Sequence, residues 1–113
     1  MNTECLFEEP DQEDFRTYKF DSGVSLEIKS RPIEVIQIGI SRAIWYACHE
    51  ICKKLDKHLP EWKPTSIIEL GAGVGMAGIY AAKIHPEATK VVITDICPKA
   101  IEIAVENIEA NKL

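Results

Sequence analysis

The sequence predicts an α/β fold built on a parallel, doubly wound sheet. The second half contains two short apolar runs typical of buried strands, and a helical pattern follows each of them. Two β-α units in succession imply parallel strands joined by a right-handed crossover. The chain has 113 residues, which is enough for one small domain but hardly for two.

The second half is predicted to be a β-α-β-α segment over residues 65–113. Its strands are expected at residues 65–70 and 90–96, and the helix between them at residues 76–84. Pro98 occupies the first position of the last helix, where a missing N–H costs nothing. The expected core face of that helix consists of Ile101, Ala104, Val105 and Ile108.

The first half is predicted to hold a hairpin and a helix over residues 16–60. Apolar and polar residues alternate over residues 18–29 around the turn at 21–23, which is typical of a β-hairpin. Residues 31–40 are expected to be extended. Pro60 is expected to end the helix, and Ser41 to cap its start. The apolar stripe of this helix consists of Ile44, Trp45, Cys48, Ile51, Cys52, Leu55 and Leu59.

Charge separates the first 15 residues from the rest. Six of the eighteen Asp and Glu residues precede the first basic residue, Arg16. The other twelve face thirteen Lys and Arg residues, so the remainder is near neutral and lacks the basic stripe that nucleic acid requires. Residues 1–15 are therefore predicted to be a disordered acidic tail, and no nucleic-acid partner is expected.

The glycine-rich run after the first predicted strand indicates a nucleoside site. Residues 69–75 read ELGAGVG, a turn in which a ligand can lie against bare backbone. Asp95 follows Gly75 by twenty residues and closes the second predicted strand. A carboxylate there can accept hydrogen bonds from both hydroxyls of a ribose. Turn and carboxylate together predict a cofactor of the adenosine type.

Two cofactors fit this pattern. Gly73, Gly75 and Gly78 match the G-x-G-x-x-G dinucleotide fingerprint, which keeps an NAD-dependent oxidoreductase open as an alternative. Glu69 favours a cationic ligand instead, because a carboxylate suits the ammonium and sulfonium groups of S-adenosylmethionine. The same charge would repel the phosphates of NAD.

Residues 68–78, IELGAGVGMAG, resemble the first motif of the seven-β-strand, class I methyltransferases that use S-adenosylmethionine, and residues 92–113 are similar to their second strand and following helix. The resemblance implies a Rossmann-like sheet, of which this chain would be the N-terminal part, truncated after the second β-α unit. It also implies that Asp95 holds the ribose. The remaining cofactor-binding residues implied within these motifs are Glu69, Gly71, Ala72, Gly73, Gly75 and Ile96.

The hairpin and residues 44–47, IWYA, resemble the protein-lysine methyltransferases related to nicotinamide N-methyltransferase. In that group a tryptophan at the place of Trp45 lies by the cofactor, although a plain core role for Trp45 stays open. The family's substrate-binding motif follows its fourth strand, so catalytic residues are expected beyond Leu113. A small-molecule N-methyltransferase and a non-catalytic binding or interaction protein remain alternatives.

The other expectations concern location, cysteines and surface. No apolar run is long enough for a membrane span, and no signal peptide is visible, so a cytoplasmic protein is expected. Cys48 and Cys52 lie on the apolar helix stripe and are predicted to be buried thiols rather than metal ligands. His85 is expected at the surface and Trp62 over the first strand. The unpaired edge of a two-stranded sheet predicts self-association.

Overall fold

The computed structural model describes residues 14–30 and 46–113. Most of the predicted tail, the predicted extended segment, Ser41 and Trp45 lie outside these described residues. The elements are β1 Asp14–Lys19, β2 Ser25–Ser30, α1 Tyr46–Trp62, β3 Ser66–Glu69, α2 Met76–Ile84, β4 Lys90–Ile93 and α3 Pro98–Ala110.

The predicted hairpin is confirmed: β1 and β2 pair antiparallel. Gly23 in the connecting turn has a φ of 92°, a conformation that glycine adopts without a steric cost. Leu26 and Ile28 of β2 are fully buried and form one side of the core. β1 begins at Asp14, so the assignment of Asp14 and Phe15 to a disordered tail was wrong.

The predicted parallel pair is also confirmed, since β3 and β4 pair parallel with α2 between them along the chain. α2 has the predicted bounds. β4 ends at Ile93 rather than at residue 96, because its partner β3 ends at Glu69 and the chain then enters the glycine turn. The backbone N–H and the hydroxyl of Thr94 both donate to the carbonyl of Glu69, at 3.0 and 2.8 Å.

Helix α1 continues through Pro60 to Trp62, so the predicted end at Pro60 was wrong. A proline lacks the N–H donor and also crowds the carbonyl four residues earlier. Pro60 stands in the last turn of α1, so the earlier turns keep their hydrogen bonds. The N–H of Lys63 donates to the carbonyl of Leu59 at 3.2 Å and closes the end of α1. Trp62 stacks on His58 of the same helix and remains 62% exposed.

The core lies between the hairpin and the three helices. Tyr80 of α2 is fully buried, and its hydroxyl donates to the carboxylate of Asp56 on α1. The same carboxylate accepts the N–H of Ser22 in the hairpin turn at 3.1 Å. The buried apolar cluster contains Phe20, Leu26, Ile28, Cys52, Val74, Met76, Ala77, Ile79, Tyr80 and Ile103.

His85 was predicted at the surface, and the structure shows that this was wrong. The ring is buried at the end of α2. Its Nε2 lies 2.9 Å from the carbonyl oxygen of Pro64, and its Nδ1 lies 3.1 Å from a carboxylate oxygen of Glu87. The imidazole therefore fastens the loop before β3 to the loop after α2.

The buried face of α3 differs from the predicted one. Ala100, Ile103, Ala104 and Asn107 are buried, whereas Val105 is 47% exposed. The prediction considered only apolar residues, so it missed Asn107, a polar residue whose side chain is buried in the core.

Asn107 of α3 and Asn111, which follows the last residue of α3, bond through their side chains to the edge of β2 that faces away from β1. The Oδ1 of Asn107 accepts the N–H of Lys29 at 2.7 Å, and its Nδ2 donates to the carbonyl of Lys29 at 3.0 Å. Asn111 makes the same two bonds with Glu27, at 3.0 and 2.8 Å. Four residues of a helix rise about 6 Å, and two residues of a strand rise about 6.6 Å. Two asparagines four positions apart therefore reach two strand residues that are two positions apart.

We expect Asn107→Ala to destabilise the fold by about 2–6 kcal/mol. The change leaves the buried carbonyl of Val74 without its partner, at about 1–3 kcal/mol, and removes two hydrogen bonds to half-buried backbone groups of Lys29, at about 0.5–1.5 kcal/mol each. Urea unfolding followed by circular dichroism measures this. Glu109→Ala, an exposed change on the same helix, is the control and should stay within about 0.5 kcal/mol of wild type. Equal stabilities of the two variants would contradict the assignment.

Candidate cofactor site

The glycine turn between β3 and α2 bends in a way that few other residues allow. Gly71, Gly73 and Gly75 have φ values of 65°, 59° and 88°, in the left-handed region where a side chain is strained. The N–H of Gly75 donates to the carbonyl of Ala72 at 3.0 Å, and the N–H of Ala72 donates to the carbonyl of Thr94 at 2.8 Å. The turn is thereby fixed to the end of β4.

Asp95 joins this turn to the start of α3. One carboxylate oxygen accepts the N–H of Gly73 and the other accepts the N–H of Cys97, both at 2.8 Å. The structure thus brings Asp95 and the glycine turn together, as the sequence predicted. Each carboxylate oxygen has a second lone pair, so Asp95 can still accept a hydrogen bond from a ligand hydroxyl.

Glu69, at the end of β3, places a second carboxylate beside the turn. Its Oε1 accepts the N–H of Gly78 in the first turn of α2 at 2.8 Å. Burial raises the pKa of Glu69 above the ordinary value, the Gly78 hydrogen bond partly opposes this, and the charge of Asp95 adds to the rise. A Cβ at Gly78 would lie 2.7 Å from Ile93 Cγ1 and 3.0 Å from the Glu69 carboxylate. Glycine at this position is what allows α2 to approach the sheet closely.

Glu69 bears most directly on which class of ligand the site favours. A dinucleotide site places its pyrophosphate on the free N–H groups that begin the helix after the glycine turn. Here the N–H of Gly78 in that first turn already binds Glu69. The negative charge of Glu69 disfavours phosphate and favours a ligand with a cationic group, whereas Asp95 suits the ribose of either cofactor.

The structure also places the remaining predicted residues. Ala72 is buried within the turn, and Ile96 is fully exposed directly after Asp95. Cys97 stands at the N-cap of α3, where its side chain makes no capping hydrogen bond, and Pro98 follows in the first turn as predicted. Trp45 lies outside the described residues. The backbone donor of Gly78 and the carbonyl of Thr94 were missed, because backbone groups carry no signature in a sequence.

The prediction of buried thiols on α1 is confirmed for Cys52, which is fully buried, while Cys48 is partly buried. A hydrogen bond from the Cys52 thiol lowers the pKa of Cys48, although burial opposes the shift. Within residues 14–30 and 46–113, no group of three or more His, Cys, Asp or Glu side chains could hold a metal ion.

A family model of lysine methyltransferases matches residues 23–113, from the hairpin turn to the end of the chain. The chain belongs to the lysine methyltransferase family. Membership confirms the resemblance drawn from the glycine motif and from the second β-α unit. None of the helices that the structure describes is long and apolar enough to cross a membrane.

Individual lysine methyltransferases resemble about two thirds of this chain. Mouse (Mus musculus) EEF1A lysine methyltransferase 3 is 33% identical over 75 residues, which are 66% of this chain and 31% of that protein. Protein N-lysine methyltransferase METTL21A of Xenopus tropicalis is 34% identical over 79 residues, which are 66% of this chain and 35% of that protein. METTL21A of Mus musculus is 36% identical over 75 residues, which are 66% of this chain and 33% of that protein. The chain therefore spans about one third of the length of these relatives.

We expect Glu69→Gln to raise the melting temperature at neutral pH. Glutamine keeps an oxygen for the N–H of Gly78 but carries no charge, so the folded chain no longer holds a partly buried anion. Because the pKa of Glu69 is raised in the folded state, the wild-type protein gains stability as pH falls through that raised pKa towards about 4.3. The advantage of the variant should shrink over the same range.

Thermal unfolding at a series of pH values measures this difference. Glu109→Gln, on an exposed face of α3, controls for the loss of a carboxylate as such and should follow the wild-type curve. A Glu69→Gln protein that is less stable than wild type at neutral pH would show that the charge of Glu69 stabilises the fold.

Proposed function

We propose that this chain binds S-adenosylmethionine and supplies the cofactor-binding part of a protein-lysine N-methyltransferase. The observation that carries the proposal is the juxtaposition of Asp95, held between the N–H groups of Gly73 and Cys97, with the partly buried carboxylate of Glu69. Membership of the lysine methyltransferase family and the names of the relatives support the reaction class.

The residues present fit this cofactor. The turn at residues 71–75 offers bare backbone against which a sugar and an amino acid can lie. We assign the remaining lone pairs of Asp95 to the ribose hydroxyls and the charge of Glu69 to the ammonium group. Ile96, which is fully exposed beside Asp95, would cover one face of the adenine, and a role for Trp45 beside the cofactor remains part of the proposal.

When bound, S-adenosylmethionine would supply a methyl group carried on a positively charged sulfur. A neutral amine would attack the methyl carbon in line, and the sulfur would be the leaving group. The proposed task of the described residues is to bind and orient that cofactor. A lysine amine, with an ordinary pKa of about 10.4, must first lose a proton. We assign this proton transfer to none of residues 14–30 and 46–113.

We propose a lysine side chain of a protein as the methyl acceptor, since the names of the relatives specify lysine methylation. A cytoplasmic location is part of the same proposal, and the free thiols of Cys48 and Cys52 support it. Self-association through the edge of the parallel sheet is also proposed, and the exposed side chains of β3 support it.

Calorimetric titration with S-adenosylhomocysteine tests the cofactor assignment without a methyl acceptor. We expect Glu69→Gln to weaken binding about tenfold or more, since a hydrogen bond to a charged group contributes about 1.5–3 kcal/mol. This variant should fold at least as well as wild type, so weaker binding would not reflect unfolding. Asp95→Asn should weaken binding as well, whereas Glu109→Gln should leave it unchanged.

Near-ultraviolet circular dichroism establishes that each protein tested is folded. NAD, titrated in parallel, should give no heat. Binding of NAD, or no binding of the adenosyl ligand by a folded wild-type chain, would contradict the proposed function.

A further inference from the structure

Cys48 and Cys52 lie one turn apart on the face of α1 that packs against α2. Residues four positions apart on a helix are neighbours, and both thiols pack in the core region that also contains Ala77 of α2. Cys52 is fully buried, whereas Cys48 is half-buried. The Cys52 thiol donates a hydrogen bond to the sulfur of Cys48. The pair therefore consists of an inner thiol that keeps its proton and an outer thiol that solvent reaches.

The first turn of α2 supplies a second donor to Cys48. The backbone N–H of Ala77 donates to the Cys48 sulfur, and the N–H of the next residue, Gly78, donates to Glu69. The N–H groups that begin a helix carry partial positive charge and favour an anionic partner. The beginning of α2 thus holds a thiol of α1 and a carboxylate of β3 side by side, and that carboxylate is the one we assign to the cofactor.

The titratable groups that act on Cys48 are Cys52 of its own helix and Glu69 of β3. The hydrogen bond from Cys52 lowers the pKa of Cys48 most, and the N–H of Ala77 lowers it further, while burial and the charge of Glu69 oppose the shift. The same hydrogen bond, together with burial, raises the pKa of Cys52. Since the thiolate is the nucleophilic form of cysteine, Cys48 rather than Cys52 is the reactive member of the pair.

We propose that Cys48 is the site at which a hydroperoxide oxidises this chain, and that the product is a sulfenic acid rather than a disulfide with Cys52. The thiolate sulfur attacks one peroxide oxygen, the O–O bond breaks, and the other oxygen leaves as hydroxide or alkoxide and takes up a proton. Sulfur loses the two electrons that the peroxide gains. A small thiol then displaces water to form a mixed disulfide, which a second thiol reduces.

The geometry of α1 is the reason that no disulfide is expected between the two cysteines. The Cβ atoms of residues four apart on a helix are separated by about 5–6 Å, whereas a disulfide requires about 3.5–4.5 Å. The helix is continuous over Tyr46–Trp62, so forming the bond would require α1 to unwind around Cys48. Oxidised Cys48 therefore stays open to an external thiol.

Oxidation of Cys48 is expected to weaken cofactor binding, because it adds an oxygen beside Glu69 and the first turn of α2. This consequence rests on the proposed function, since it requires Glu69 to contact the cofactor. The reactivity of the thiol does not rest on it, because Cys48 owes its reactivity to contacts within the protein.

Alkylation of the 113-residue chain by iodoacetamide, followed for each cysteine by peptide mass spectrometry, tests the reactivity without any cofactor. In the wild-type chain Cys48 should react about fivefold or more faster at neutral pH than Cys97, which is also partly buried. Cys52→Ala should move the midpoint of the rate–pH profile of Cys48 upward, and Cys52→Ser, which keeps a hydroxyl donor, should restore part of the shift. Glu69→Gln should move the midpoint downward, because it removes an opposing charge.

The opposite directions expected for Cys52→Ala and Glu69→Gln separate an electrostatic effect from a general loosening of the fold, which would expose Cys48 in both. Near-ultraviolet circular dichroism establishes that each variant is folded. Equal rates at Cys48 and Cys97 in the wild-type chain, or a profile that a folded Cys52→Ala chain leaves unchanged, would overturn the proposal.

Treatment with hydrogen peroxide in the presence of dimedone, which traps sulfenic acids, tests the product. The adduct should form at Cys48, and without dimedone the oxidation should be reversed by dithiothreitol. An adduct at Cys97 alone, or a disulfide between Cys48 and Cys52, would contradict the assignment.

Calorimetric titration with S-adenosylhomocysteine before and after peroxide tests the consequence. Oxidised wild type should bind about fivefold or more weakly and recover with dithiothreitol, whereas the affinity of Cys48→Ser should not respond to peroxide. Unchanged affinity of a fully oxidised chain would overturn the link between Cys48 and the cofactor. A lack of binding before treatment would instead contradict the proposed function, and the alkylation rates would then decide the reactivity of Cys48 alone.

Discussion

The buried amide of Asn107 connects parts of this molecule that the backbone leaves apart. Its Oδ1 accepts the N–H of Lys29 in the hairpin, and its Nδ2 donates to the carbonyl of Lys29. The Nδ2 also donates at 2.9 Å to the carbonyl of Val74 inside the glycine turn. A buried polar group is stable only when its hydrogen bonds are made. The hairpin, α3 and the turn are therefore held in one arrangement, and the candidate cofactor site is built on it.

The two carboxylates of the site differ in how well the fold stabilises their charge. Asp95 accepts two backbone N–H groups and so connects the glycine turn to α3. Glu69 accepts one, from Gly78, and burial raises its pKa. An ionisable group whose charged form is destabilised by burial is typical of a functional site, because ligand binding can offset the cost of desolvation. A cationic cofactor is the ligand that this pair of carboxylates suits.

Local signals predicted the parts of the fold that depend on short stretches of chain. The hairpin turn, both bounds of α2 and the first-turn position of Pro98 follow from residue types and spacing. The errors at His85 and on the buried face of α3 arose where a partner distant in sequence decided the outcome. His85 is buried because its Nε2 lies at hydrogen-bond distance from the carbonyl of Pro64, 21 residues earlier in the chain. On α3, Asn107 faces the core and Val105 remains exposed, because the Asn107 side chain bonds to the backbone of Lys29 in β2.

The sequence by itself determined the order of strands and helices, the glycine turn and the presence of carboxylates at the ends of two strands, since each depends on periodicity or on the freedom of glycine. It also carried the family resemblance. Tertiary structure decided that Asp95 bonds to both Gly73 and Cys97, and that Glu69 lies against the first turn of α2. Those contacts join backbone groups to side chains 2 to 22 residues away. Backbone donors have no residue-specific signature, so only the folded chain shows which side chain each of them meets.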